Sequence, residues 1–209
     1  NIKINSNFNQ SQTRYENASD YLSDFSLSKD KQKISITARG QIFSMYPWSK
    51  SPIRVGDKEK RYKMSFHLAN TSNILAIELN EQNEEEFVLI SDEKLNKQTI
   101  ISKKSFGKVW TTSLSPCSNY LAFSTNRNQL WILNVKTRIL NKIDDARRFP
   151  LLSHNFSRIS WSPCSKFITY STAIDNRRSG IKVYNLESKS KKNLTSPVLH
   201  DWSPVFCPS

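Results

Sequence analysis

Leu114-Ser-Pro-Cys-Ser-Asn-Tyr-Leu-Ala-Phe123 aligns without a gap to Trp161-Ser-Pro-Cys-Ser-Lys-Phe-Ile-Thr-Tyr170, and this pair of stretches decides the fold. Two further copies lie upstream, Leu27-Ser-Lys-Asp-Lys-Gln-Lys-Ile-Ser-Ile36 and Leu68-Ala-Asn-Thr-Ser-Asn-Ile-Leu-Ala-Ile77, and the chain ends on Phe206-Cys-Pro-Ser209, the opening of a fifth. The copies begin at 27, 68, 114, 161 and 206, separations of 41, 46, 47 and 45 residues. One propeller blade takes roughly 40 to 50 residues. Helical repeats share part of that range, so the content of each unit must decide between them.

Each unit contains four short runs of alternating or continuous apolar residues separated by polar turns, a strand pattern with no run long enough for a stable helix. In the first unit the runs are Tyr21 to Leu27, Lys33 to Ala38, Gln41 to Met45 and Pro52 to Val55; in the second, Tyr62 to Leu68, Ile74 to Leu79, Glu86 to Ser91 and Gln98 to Ile101. The third has Val109 to Leu114, Tyr120 to Ser124, Gln129 to Val135 and Arg138 to Ile143; the fourth has Arg158 to Trp161, Phe167 to Thr172, Ile181 to Leu186 and Lys191 to Thr195. The expected fold is all-β: four-stranded antiparallel propeller blades over about 21–56, 62–102, 108–143 and 158–195, with a truncated blade from 200. Residues 1–20 read as a tail or the remnant of a preceding blade. Four blades and a fragment do not close a ring, which leaves an incomplete propeller with two open blade faces.

The turn between the first two runs of each unit has a physical basis. Pro116 and Pro163 fix φ, and the short polar residues after them bond back to the backbone. A Ser-Pro-Asp-Gly form of this turn marks a large group of propellers. Here Cys117 and Cys164 replace the Asp, Ser118 and Ser165 replace the Gly, and only Asp30 keeps the acid. With only four Gly in the chain, these turns read as degenerate and less well specified.

Composition narrows the function classes. Hydrophobic residues make up 37% of the chain, and the longest apolar stretches, Ile74 to Ile77 and Phe87 to Ile90, are strand-sized and far below the roughly 18 residues of a membrane span. Neither end has the look of a natural terminus: Asn1 is not preceded by Met or by a leader, and Ser209 falls inside a repeat motif, so a fragment of a longer protein is expected. Cys117, Cys164 and Cys207 form no CxxC pair and are odd in number. A reducing, cytoplasmic setting is the expectation, with the cysteines as turn residues rather than metal ligands or catalytic thiols. No metal or cofactor is implied. The net charge of +13 raises the possibility of nucleic-acid binding, yet the cations are scattered over Lys29, Lys31, Lys33, Lys58 to Lys63 and Lys189 to Lys192 without interleaved aromatics. A solvated basic surface is the expected reading, and nucleic acid is not an expected partner.

Beyond the generic repeat, Thr37-Ala-Arg-Gly-Gln-Ile-Phe43, preceded by Asp20-Tyr-Leu-Ser23, resembles the Ala-Arg-Gly blade segment of tricorn-type serine proteases. Further matches follow in order: Gln129-Leu-Trp-Ile-Leu-Asn-Val135, Ile159-Ser-Trp-Ser-Pro163, Ile181-Lys-Val-Tyr-Asn-Leu186 and Asp201-Trp-Ser-Pro-Val-Phe206. The resemblance runs from about Phe8 onward, and the order and spacing of the motifs carry it. It implies a large peptidase of two successive propellers, a PDZ-like domain and a split catalytic domain, with this region as the later part of the second propeller. That propeller is thought to admit and filter peptides. The family's catalytic Ser, His and Glu fall downstream of Ser209, so no catalytic residue is assigned here. The resemblance further implies peptides, the downstream PDZ-like and peptidase domains, and further copies of the full-length protein as partners. The alternative is a TolB-like or scaffold propeller acting as a protein interaction module.

Residues of the innermost strand line a propeller's channel. On that basis Thr111, Thr112, Arg158 and His200 are the candidates to touch a passing peptide, and Arg39 is either a channel group or an ion-pair partner. His200-Asp201 with Ser203 lacks both the geometry of a triad and a Gly-x-Ser-x-Gly elbow. His67 and His154 stand alone as strand-end or loop residues. Trp110, Trp131, Trp161 and Trp202 are expected in blade-to-blade packing. Glu84-Glu85-Glu86 reads as a solvated hairpin tip, and the Asn155-Phe-Ser157 sequon has no functional reading.

Overall fold

The computed structural model describes residues 15, 17–69, 71–91, 97–100, 106–146, 156, 158–173, 178–196 and 198–207. His154, Asn155 and Ser157 of the sequon and most of the 1–20 tail lie outside them.

After a 3-10 turn at Ala18–Tyr21, sixteen strands among the described residues build four antiparallel sheets, each in sequential order. Blade 1 holds β1 (Leu22–Leu27), β2 (Ile34–Ala38), β3 (Gln41–Met45) and β4 (Ile53–Val55); blade 2 holds β5 (Arg61–His67), β6 (Asn73–Leu79), β7 (Glu85–Ser91) and β8 (Lys97–Thr99). Blade 3 holds β9 (Val109–Leu114), β10 (Tyr120–Thr125), β11 (Gln129–Asn134) and β12 (Ile139–Asp145); blade 4 holds β13 (Ile159–Trp161), β14 (Phe167–Ala173), β15 (Ser179–Asn185) and β16 (Ser190–Asn193). Strand by strand, the bounds fall within two residues of the runs read from the sequence. Packing of β1 on β5 and of β9 on β13 identifies the first strand of each sheet as the innermost.

The apolar positions recur because adjacent sheets bury their facing sides against one another. Three clusters fill the gaps. Ile42, Val55, Tyr62, Ile74, Ala76, Val88 and Ile90 lie between blades 1 and 2. Between blades 2 and 3, Phe87, Phe106 and Phe123 form an aromatic triangle with centroids 4.9 to 5.4 Å apart. Ala122, Ile132, Ile143, Phe156, Trp161, Ile168 and Tyr170 fill the third gap. The blade 1/2 interface also carries a hydroxyl ladder in which Ser35 and Thr37 bond Ser65.

Of the four tryptophans expected in the core, only Trp161 is buried, its indole donating to the Ser113 carbonyl at 2.9 Å while the ring stacks on Tyr120. Trp131 is half-buried. Trp110 and Trp202 are 53% and 62% exposed, contrary to expectation. The reason for Trp110 is a register shift in the β9–β10 ladder, where Trp110 and Thr111 together oppose Ser124. Trp202 lies on the truncated fifth unit, whose described residues form no strand.

The turns are better specified than their sequence suggests. Ser118 and Ser165, at the Gly position, adopt φ of 57° and 59°, strained values for a residue with a Cβ. Each hydroxyl accepts an amide from the preceding blade: Ala69 N–H donates to Ser118 Oγ at 2.9 Å, and Cys117 N–H to Ser165 Oγ at 3.1 Å. Glycine has no such acceptor. Ser115 and Ser162 clasp their own turns, accepting from the Tyr120 and Phe167 amides at 3.0 Å.

Candidate functional site

A cleft of about 830 Å³ opens where the innermost strands of the first three blades begin. Its walls come from Tyr21 to Ser23, from the Arg39-Gly40 hairpin tip, from Arg61 to Lys63 and from Lys108. The hairpin tip forms because β2 and β3 are joined by two residues, with Ala38 opposite Gln41, which requires positive φ at both; Arg39 has 48° and Gly40 has 76°. Gly40 also leaves room for Arg61, whose side chain would lie 3.3 Å from a Cβ there.

One device repeats around this cleft. The first strand of blades 1, 2 and 3 carries a bulge near its start, between Leu22 and Asp24, between Tyr62 and Met64, and between Val109 and Thr112. A bulge adds a residue to one strand and re-aims its side chain. In blade 2 the added residue is Lys63. Its ammonium reaches the Glu85 carboxylate at 2.9 Å and also the Val109 carbonyl, while the Val109 amide donates to the other Glu85 oxygen at 2.6 Å. Both polar groups of Val109 at the blade 3 bulge are thus satisfied by one ion pair from blade 2. In blade 1, Asp24 accepts from the Ser65 amide, and burial lifts its carboxyl above the usual range despite that bond.

This overturns the reading of the Glu84-Glu85-Glu86 run as a solvated tip. The β6–β7 loop is Asn80 to Glu84, pinned by Asn80 Oδ1, which accepts from the Gln82 and Glu84 amides. Glu84 is exposed, Glu85 is buried as a blade-to-blade strut, and Glu86 accepts from the Asn80 side-chain amide at 2.9 Å. With Lys63 and Glu85 neutralising each other, the charges left on the cleft are Arg39, Arg61 and Lys108 against Asp20. The cleft is therefore cationic and suits carboxylates and peptide carbonyls.

The five residues expected to line a channel do not converge. Arg39 stands on the cleft, its guanidinium 4.6 Å over the Tyr21 ring, so it is held by a cation–π contact and makes no ion pair among the described residues. Thr111 and Thr112 lie on the innermost strand β9, but their hydroxyls point to the flanking blades. Thr111 Oγ1 donates to the Phe156 carbonyl at 3.0 Å, and Thr112 Oγ1 meets Met64 Sδ at 3.6 Å. A strand packed between two sheets turns alternate side chains toward each of them and leaves chiefly its edge to the axis. Arg158 is exposed immediately before β13. His200 sits beyond β16 with Nδ1 accepting from the Ser179 amide at 3.3 Å. Arg61, Lys63, Glu85 and Lys108 were missed by sequence reasoning. Their signal, cations near the start of successive first strands and a glutamate at the start of β7, is indistinguishable from scattered surface charge until the bulges are known.

Cys117, Cys164 and Cys207 are exposed and form no disulfide among the described residues. Cys164 lies below its ordinary value because the Ser162 hydroxyl bonds it; in Cys117, burial pushes upward and hydrogen bonds from Ser115 and Ser165 outweigh it. Among the described residues no group of three His, Cys, Asp or Glu side chains is placed to hold a metal, and no helix is long and apolar enough to cross a membrane.

The family model described as the tricorn protease second beta propeller domain matches residues 22–209. A tricorn-like protease C-terminal subunit from Sulfurisphaera tokodaii is 25% identical over 198 residues, covering 94% of this chain and 21% of that protein. A tricorn protease homolog from Saccharolobus solfataricus is 19% identical over 207 residues, covering 99% and 18%. The chain thus spans about a fifth of the length of these curated relatives. Among solved structures, the crystal structure of the tricorn protease superposes with a TM-score of 0.75 at 17% identity, covering 90% of this chain and 18% of that one. TolB from Acinetobacter baumannii superposes with a TM-score of 0.59 at 16% identity, covering 87% and 45%. Both structural likenesses show the fold alone. The chain belongs to the tricorn second β-propeller family.

Proposed function

From membership of the tricorn second-propeller family we propose that this chain guides and filters peptides on their way to a peptidase domain carried outside these 209 residues. The observation that carries the reading is the cationic cleft at the start of the innermost strands, where Arg39 is steadied by Tyr21 and Arg61 lies beside Gly40. A pre-positioned guanidinium binds carboxylates and carbonyls at low entropic cost, which suits the retention of an extended chain without chemistry on it. In this reading the blades act together with PDZ-like and peptidase domains in an oligomeric, cytoplasmic parent. Thr111, Thr112, Arg158 and His200 then lie along the peptide's route, the two threonines contributing through the strand edge.

The test is hydrolysis by the parent protein carrying Arg39→Ala and Arg61→Ala. A guiding role lowers kcat/KM for long peptides several-fold and leaves a short chromogenic substrate unchanged, because the latter does not need the guide. Equal effects on both substrates, or none on either, refute the reading.

A further inference from the structure

A second depression, on the outer rim between blades 3 and 4, is left unexplained by the fold and by the cleft. It measures about 550 Å³, within the ordinary size range of ligand sites. Its floor is apolar. Tyr120 and Ile132 of blade 3 and Tyr184 and Leu186 of blade 4 form the outer layer of the third core cluster, while Ile139 stands 54% exposed on the wall. The charged residues lining it are all lysines: Lys142, Lys189 and Lys191. Lys191 is engaged by Asp144, and Lys142 makes only a solvent-exposed pair with Asp145 at 3.1 Å. Lys189 makes no ion pair among the described residues.

We propose that this groove docks an extended, acidic segment of a partner protein in which apolar side chains alternate with Asp or Glu. Alternation is what an extended chain requires to face two environments, since side chains at i and i+2 share one side. One set enters the Tyr120–Leu186 floor; the other meets the lysines. An apolar centre with a charged rim is the layout of a specific interface, the floor supplying affinity and the rim register and on-rate. The groove is bordered by β16, an outermost strand whose residues Ser190 to Asn193 are all exposed. Lysines on such an edge repel a basic strand and attract an acidic one, which selects the sign of the partner. An apolar floor offers nothing to a phosphate backbone, so a peptide is favoured over a nucleic acid. The groove lies away from the cleft, and its occupant is independent of the guiding function proposed above.

The experiment is fluorescence anisotropy on the 209-residue chain with a labelled synthetic peptide alternating Glu with Leu and Phe. The comparison probes replace Glu by Gln, or Leu and Phe by Ser, and a third is a thymidine oligonucleotide of equal charge. The acidic apolar peptide should bind about tenfold more tightly than each of the three, and raising the salt should weaken it. Lys142→Glu with Lys189→Glu should cost about tenfold, and Ile139→Ser a similar factor, with the far-ultraviolet circular dichroism unchanged because all three side chains are exposed. Equal binding of the Gln peptide, equal or tighter binding of the oligonucleotide, or unchanged affinity in the variants overturns the proposal.

Discussion

Replacing Asp144 by Ala should loosen blade 4 from blade 3. The Asp144 carboxylate is buried on β12 and accepts three bonds from the next blade: from Tyr170 Oη at 2.8 Å, Lys182 Nζ at 3.0 Å and Lys191 Nζ at 3.0 Å. Burial pushes its carboxyl upward, but Lys191, Lys182 and Tyr170 outweigh that and hold it below the ordinary value of 3.8. Burial and the adjacent carboxylate push the Tyr170 phenol upward in turn. Removing one partner of a buried pair costs about 3–5 kcal/mol. The lysine side chains here are 22% and 43% exposed and regain water in part, whereas the Tyr170 hydroxyl is buried and loses its acceptor at about 1–3 kcal/mol. About 3 kcal/mol is therefore expected, which lowers the urea midpoint by roughly 1.5 M at a slope of about 2 kcal/mol/M. The sign of the pH effect follows from the depressed folded-state value. The stabilisation is fully present above the unfolded value of 3.8 and disappears as the pH falls from there through the folded value. Asp144→Asn should abolish that component of the acid dependence. A loss below about 1 kcal/mol in the Ala variant, or an acid dependence in the Asn variant equal to that of the parent, would refute this account.

Three further outcomes are expected. Ser165→Ala should cost about 1 kcal/mol because it loses the bond from Cys117 while keeping the strained φ of 59°, whereas Ser165→Gly should be nearly neutral because relief of strain offsets the lost bond; urea titration separates the two, and equal costs would contradict the trade. Glu85→Ala should speed amide exchange at Val109 by an order of magnitude or more, since it removes the acceptor of that N–H, and unchanged protection there would deny the strut. Light scattering should find the chain self-associated through its open first blade, where Phe25 and Leu27 are 61% and 55% exposed, and Phe25→Ser with Leu27→Ser should shift it toward monomer; a monodisperse parent monomer is the contrary result.

The fold was legible in the sequence because a blade cannot be stable alone. Each must present apolar residues to its neighbours at the same places, and that requirement writes a period of 41 to 47 residues into the chain. Local chemistry also placed the strands, since period-two alternation and Ser-Pro turns depend only on near neighbours. The contacts that position the site depend instead on residues one blade apart. Nothing local distinguishes Glu84 from Glu85, yet the β6–β7 register puts one in water and the other against Val109. The bulges that re-aim Lys63 and expose Trp110 are mismatches between two strands and have no counterpart in either strand alone. Thr111 and Thr112 lie on β9, and their hydroxyls go to the flanking blades because alternation along a strand packed between two sheets sends them there. Sequence by itself therefore determined the repeat, the strand order and the placing of Cys117 and Cys164 in turns. Which charges lie at the cleft, and which are consumed in joining blades, was decided only when the sheets were set face to face, because an ion pair across that gap is specified by geometry and not by neighbourhood in the chain.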